Sequence, residues 1–132
     1  MAPLEILAAA GLGIVVLVAF YIASGDHKIG NPAIAAALSA AFGTYSVATL
    51  YGEGLLPVWT NHTTNMWGVQ VWWDLLFAVG IALFLIAPRA RKVGMNVPLW
   101  TIAVLATASI ALLAMAARLF WLEWQAEPSS TA

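Results

Sequence analysis

Four stretches of the chain are almost continuously apolar, and shorter polar connections separate them. They cover residues 4–23, 32–51, 69–87 and 98–121. Each is close to the roughly 20 helical residues needed to cross a hydrocarbon core about 30 Å thick. The pattern predicts an all-α membrane protein with four transmembrane helices in an antiparallel up-and-down bundle.

Composition and proline placement agree with this prediction. The 132 residues are 63% hydrophobic and only 8% charged, whereas a soluble domain carries about 25% charged residues. Pro32 and Pro98 open two of the stretches, which suits a first helical turn because its N–H groups need no helical partner. The acidic N-terminus, MAPLE, lacks the basic residues of a signal peptide. We therefore expect a retained first helix and one transmembrane domain spanning residues 1–132.

Positive charge is concentrated in the connection 88–97, through Arg89, Arg91 and Lys92. Lys28 lies in the first connection, whereas the connection 51–68 has no lysine or arginine. The positive-inside rule then predicts that the first and third connections are cytoplasmic, with both termini and the second connection on the outer side. At about 18 residues the second connection is long for a helical bundle, which favours a re-entrant or surface-lying segment.

Most of the tryptophans fall near the predicted outer face. A belt of residues in the headgroup zone accounts for such a placement. An aromatic docking surface for a partner or a lipophilic molecule is the alternative. The residues of this predicted outer surface are Trp59, Trp67, Trp72, Trp73, Trp121 and Trp124.

One carboxylate lies inside an apolar stretch. Asp74 and Arg118 fall at nearly the same depth of the third and fourth predicted helices, which should be antiparallel neighbours. A charge at the centre of a membrane helix costs about 2.5–3.5 kcal/mol, and an opposite charge at matching depth removes most of that cost. We expect a structural Asp74–Arg118 ion pair, with Gln70 one turn away sharing the network. A proton or ligand path through Asp74 is the functional alternative, and in a third interpretation Arg118 extends toward the interface while Asp74 stays hydrated.

Several kinds of chemistry lack the necessary residues. The chain has no cysteine, and its two histidines, His27 and His62, lie in connections predicted on opposite faces of the membrane. Neither a Ser-His-Asp arrangement nor a phosphate-binding glycine loop is present. A net charge of −1 with five basic residues gives no basis for binding nucleic acid. We expect neither an enzyme nor a metal site nor a resident cofactor, while contact with lipid, quinone or pigment stays open.

The second half of the chain resembles an uncharacterised family of small four-helix bacterial inner-membrane proteins. The shared features are an aspartate that opens one helix, a basic connection, a tryptophan near the start of the next helix, and a terminal arginine beside acidic residues. They correspond to Asp74, Arg89, Arg91, Lys92, Trp100, Arg118 and Glu123. The resemblance implies a helical bundle in the bacterial inner membrane and no particular activity.

Together these features predict a non-catalytic integral membrane protein. It would serve as an accessory or scaffold subunit of a larger bacterial inner-membrane complex, respiratory or photosynthetic, with other membrane subunits and lipids as partners. One alternative is a small carrier or channel-like protein that uses Asp74 and Arg118. Another is a quinone or pigment binder that uses the outer tryptophans.

Overall fold

The computed structural model describes residues 2–26 and 29–128, which form helices and turns without a strand. The all-α prediction is confirmed, whereas the bundle of four uninterrupted spans is not, because the fourth apolar stretch folds as two helices. His27 and Lys28 lie outside the described residues. The helices are α1 (Pro3–Ala23), α2 (Pro32–Glu53), α3 (Leu56–Thr63), α4 (Met66–Lys92), α5 (Val97–Thr107) and α6 (Ser109–Ala126).

Asparagine side chains fix where three of these helices begin. The Asn31 side-chain oxygen accepts hydrogen bonds from the backbone N–H groups of Ala33 and Ile34, at 2.9 and 3.1 Å. The side-chain oxygens of Asn65 and Asn96 each accept a hydrogen bond from the backbone N–H three residues later, and in this way they cap α4 and α5. These caps satisfy N–H groups that have no partner within the helix, so each helix starts at a defined position.

Three helices are long and apolar enough to cross a membrane. They are α1, α2 and α4, with mean hydropathies of 2.6, 1.5 and 2.0. The connection 51–68 contains α3, and α4 continues through Pro88 to Lys92, beyond the expected end at residue 87. With 27 residues, α4 is about 40 Å long, which exceeds the thickness of a hydrocarbon core.

Helix α6 is the centre of the packing, and its most extensive contact is with α2. The two helices run antiparallel: Gly30, just before α2, lies against the ring of Phe120, while Gly43 lies near Ile110. The Ser39 hydroxyl, between them on α2, donates a hydrogen bond to the Ile110 carbonyl at 2.8 Å. Small residues on α2 let the two backbones approach closely, as is common between helices in lipid.

Helix α4 runs parallel to α6, and an ion pair between Arg89 and Glu123 joins their C-terminal ends. The chain must therefore return to the level of Arg89 after α5 has led away from it. It does so at Ala108, so that α5 and α6 form a helical hairpin. The turn lies beside Ser39 and Gly43, part-way along α2. The predicted single span over residues 98–121 is thus replaced by a hairpin that does not reach the far end of α2.

Hydroxyl groups satisfy the backbone at this reversal. Ala108 adopts a positive φ of 51° with ψ −117°, which breaks the regular ladder of hydrogen bonds. The Thr107 hydroxyl donates to the Ala103 carbonyl and accepts from the Ala111 N–H, at 3.0 and 3.1 Å. In lipid an unsatisfied backbone group costs several kcal/mol, so these bonds lower the cost of interrupting the helix.

The hairpin also supplies most of the hydrophobic core. The core is a single cluster in which α5 and α6 pack against the C-terminal half of α4. Its buried members are Ala90, Val97, Val104, Ala111, Met115 and Leu119. Helix α1 contributes no buried residue and packs extensively against none of the other described helices.

The two ends of the structure differ in chemistry, and we name them accordingly. The basic end holds Arg89, Arg91 and Lys92 of α4 together with the C-terminal turns of α6, including Arg118 and Glu123. The aromatic end holds α3 and the beginning of α4. The prediction put the end of the fourth span beside the 51–68 connection, whereas the hairpin returns the end of α6 to the basic end.

Cysteine labelling tests this reversal directly, because the chain has no native cysteine. Asn61→Cys on α3 and Gln125→Cys on α6 replace exposed polar residues. We expect a membrane-impermeant maleimide to label the two single-cysteine variants from opposite sides of sealed vesicles. A fourth full span would put both positions on the same side, so labelling of both from one side would contradict the hairpin.

Candidate functional site

The most evident feature of the molecule is the amount of apolar surface that its own fold leaves uncovered. Its accessible surface is 10,017 Å², whereas a compact monomer of 14.0 kDa exposes about 6,700 Å². Helix α1 contributes heavily, with Leu4, Leu12 and Leu17 each about 70% exposed. Lipid or another protein must cover these faces, because water alone would make them unstable.

At the aromatic end, three rings hold α3 against α4. The indole of Trp72 meets Trp59 edge to face, with ring centres 6.2 Å apart, and lies 5.4 Å from the ring of His62. Edge-to-face aromatic pairs contribute about 0.5–1.5 kcal/mol beyond area burial. Gly68 permits the approach, since a Cβ there would lie 2.7 Å from the Asn61 carbonyl oxygen.

The tautomer of His62 follows from its hydrogen bond. Its Nδ1 lies 2.6 Å from the carbonyl oxygen of Val58. A carbonyl can only accept, so Nδ1 carries the proton, and in the neutral ring Nε2 has the free lone pair. His62 therefore belongs to the packing of α3 and offers one nitrogen to the surroundings. Among the described residues, no group of three histidine, aspartate or glutamate side chains is placed to hold a metal ion.

The predicted tryptophan surface divides between the two ends of the structure. Trp59, Trp67, Trp72 and Trp73 lie on α3 and the first turns of α4, at the aromatic end. Trp121 and Trp124 lie on the last turns of α6, at the basic end, and each is 49% exposed. The prediction of one outer surface assumed a continuous fourth span. The hairpin gives each end its own tryptophans, which is the usual distribution for interfacial belts.

The basic end contains the one ion pair among the described residues. The Arg89 Nε and Nη2 groups donate to the two Glu123 carboxylate oxygens at 2.9 and 2.6 Å. This bidentate geometry is the strong form of the contact. The guanidinium also lies 5.7 Å from the ring centre of Phe120, the ring that contacts Gly30. The cluster therefore joins α4 and α6 to the residues that precede α2.

In the sequence, Arg89 serves only as a topology signal, and the predicted layout does not pair it with Glu123. The assumption of a continuous fourth helix placed Glu123 at the opposite membrane face. The sequence nevertheless contained an indication of this pair, because Glu123 follows the last apolar turn of its segment and Arg89 ends the preceding apolar segment.

The groove beside the pair, about 320 Å³ in volume, is open and is bordered by Lys92 and Glu127 as well.

Asp74 and Arg118 are not brought together. Both are exposed, and no ion pair joins them. With α4 and α6 parallel and in register at Arg89 and Glu123, a rise of about 1.5 Å per residue separates them by about 15 Å along the bundle. The expected pair fails because the reversal at Ala108 inverts the direction of the helix that carries Arg118.

Gln70 and Asp74 instead lie on the outward face of α4. Phe77 and Ile81 follow them at helical spacings of three and four residues, and each is 61% exposed. The opposite face of α4, which includes Val79 and Ile86, packs on the core. The rings of Trp73 and Phe77 contact each other on this outward face, with centres 5.5 Å apart. An exposed carboxylate therefore sits among aromatic and aliphatic side chains in a helix apolar enough to span a membrane.

No protein-family model, no curated protein and no solved structure matches this chain. Its function must accordingly be argued from the surfaces described above.

A double-mutant cycle tests the ion pair at the basic end. We expect Arg89→Ala and Glu123→Ala each to lower the free energy of unfolding in detergent, while the double variant loses less than the sum of the two. A coupling of about 1 kcal/mol is expected, because Arg89 is 41% exposed and solvent screens the pair. Additive losses in thermal or denaturant unfolding would show that the two side chains do not interact.

A glycine substitution tests the docking of α3 on α4. Gly68→Ala forces a methyl group against the backbone of α3, and we expect it to destabilise the aromatic end by about 1–3 kcal/mol. Gly80→Ala in the same helix is the matched control, because no atom lies within 4 Å of its Cβ position. Near-ultraviolet circular dichroism of the tryptophans should change only with Gly68→Ala. An equal response of both variants would argue against this packing.

Proposed function

We propose that this chain is a non-catalytic accessory or scaffold subunit of a larger bacterial inner-membrane assembly. The observation that carries the proposal is the uncovered apolar surface, above all α1, which is long enough to span a bilayer and buries none of its residues within the fold. A helix that buries none of its residues within the fold has most of its surface available to pack against other subunits. Respiratory and photosynthetic assemblies contain small helical subunits of this kind.

The charge distribution supports an orientation for the assembled protein. Four described basic residues lie at one end of the structure, and the positive-inside rule assigns such an end to the cytoplasm. The aromatic end then faces the outer side, and the N-terminus lies there too. The C-terminus belongs to the cytoplasmic side in this proposal, because α6 returns to the basic end.

The alternative of a carrier that uses Asp74 and Arg118 has less support. A transport path needs polar groups that face the protein interior or a water-filled cavity. None of the described polar or charged side chains is buried, and Asp74 and Arg118 lie on outward faces at different depths.

A quinone or pigment binder at the aromatic end remains a second candidate. The observation in its favour is the cluster of Trp59, Trp72 and His62, whose Nε2 is free to accept a hydrogen bond. The cluster also has a structural use, because the same rings hold α3 in place.

Native extraction distinguishes these proposals. The tagged chain is expressed at its natural level, extracted in lipid nanodiscs formed by a styrene–maleic acid polymer, and separated on a native gel. We expect it in one band much larger than a 14.0 kDa chain, with the same partner subunits at fixed stoichiometry by quantitative mass spectrometry. A tagged unrelated membrane protein of similar size serves as the control.

A chain that migrates alone or only with copies of itself would refute the accessory role. A quinone or pigment that co-purifies stoichiometrically, and is lost in Trp72→Leu but retained in Trp121→Leu, would establish the second candidate.

A further inference from the structure

Asp74 occupies an expensive position for a carboxylate. It lies about 12 Å into α4 from the first residue of the helix, Met66, and a helix of about 40 Å centred on a 30 Å hydrocarbon core extends about 5 Å beyond it at each end. Asp74 is then about 7 Å below the edge of the hydrocarbon. Its short side chain has little reach toward the interface, in contrast to lysine or arginine.

The described part of the chain offers no arginine or lysine at this depth. Arg89, Arg91, Lys92 and Arg118 all belong to the basic end, and the nearest of them, Arg118, is about 15 Å from Asp74 along the bundle. A second copy inserted in the same orientation carries its basic residues at the same depths, so it cannot supply the missing charge to Asp74. Among the described residues, neither this chain nor a second copy supplies the counter-charge, so a different molecule is the source we consider.

The surroundings of Asp74 indicate which chemistry fits. Gln70 lies one turn toward the aromatic end on the same face and offers both a hydrogen-bond donor and an acceptor. Trp73 and Phe77, whose rings contact each other, lie one residue before and three residues after Asp74 on α4. A guanidinium satisfies all three features at once, since it donates two hydrogen bonds to a carboxylate and stacks on aromatic faces, whereas an ammonium group does not form the planar fork.

We propose that the outward face of α4 around Gln70 and Asp74 is the docking surface for a transmembrane helix of another protein, and that this helix carries an arginine in its outer quarter. The inference rests on the proposed accessory function and names the contact through which that function is exercised. The contact is desolvated in lipid, and it depends on depth because an arginine at another level of the partner helix cannot reach Asp74.

Designed helices provide a defined probe for this surface. Three leucine–alanine spans are co-expressed with the full chain in a bacterial inner membrane, with flanking lysines that fix their orientation. One carries arginine in the outer quarter, one carries it in the inner quarter, and one carries none. Association is read as energy transfer between fused fluorescent proteins. We expect the outer-arginine helix to associate about 3- to 30-fold more strongly than the other two, the range measured for polar contacts between membrane helices.

Two variants connect this preference to the carboxylate. Asp74→Leu should reduce association with the outer-arginine helix to the level of the arginine-free helix, whereas Ile81→Leu, on the same face of α4, should leave it unchanged. Equal association of all three helices with the natural chain, or an unchanged preference in Asp74→Leu, would overturn the proposal. Cross-linking of Phe77→Cys into a disulfide-linked dimer in native membranes would also overturn it, because a second copy would then cover this face.

The outcome separates this inference from the accessory role. If native extraction yields the large assembly with the natural chain and equally with Asp74→Leu, the accessory role holds and the α4 contact is refuted. If the natural chain migrates alone, the accessory role itself is refuted. Loss of the same partner subunits in Asp74→Leu, with recovery in Asp74→Glu, supports both.

Discussion

The arrangement of the bundle depends on the parallel register of α4 and α6, whose C-terminal ends meet at Arg89 and Glu123. Both side chains lie at the ends of apolar helices, where each charge can stay near water while the two helices pack below it. The pair joins α4 and α6 in this register, and parallel neighbours joined by a single intervening helix require the chain to turn back. The reversal at Ala108, the position of Arg118 and the location of the end of α6 all follow from that requirement.

Packing around this register relies on small side chains and hydroxyl groups more than on bulky residues. Gly30 and Gly43 allow α2 to lie close to α6, while Ser39 and Thr107 supply hydrogen bonds near the turn. The hydrophobic effect gives little drive for association between helices once they are in lipid, so dispersion and hydrogen bonds carry the contact. The core is accordingly confined to the basic half of the structure, and the aromatic half is held by the rings that join α3 to α4.

The sequence alone was sufficient for the apolar segments, for the end of α1 and for the start of α2, because their length, their composition and the proline after Asn31 are local signals. The break in the fourth segment could not be foreseen, since residues 105–110 contain neither glycine nor proline and alanine is the best helix former. Because the predicted direction of α6 was wrong, the predicted Asp74–Arg118 pair and the predicted placement of Trp121 and Trp124 beside the other outer tryptophans were wrong as well. Depth along a bundle is a tertiary property, and a hydropathy pattern gives it correctly only when every segment crosses fully.

The helical hairpin has a consequence for the biogenesis of the protein. A span that crosses the bilayer requires its polar flank to be translocated, which the insertion machinery must accomplish for each crossing. Because α5 begins and α6 ends at the basic end, neither helix has to carry a polar flank across the hydrocarbon. In the proposed orientation, with the basic end cytoplasmic, both helices can be added from the side of synthesis once α2 and α4 are in place.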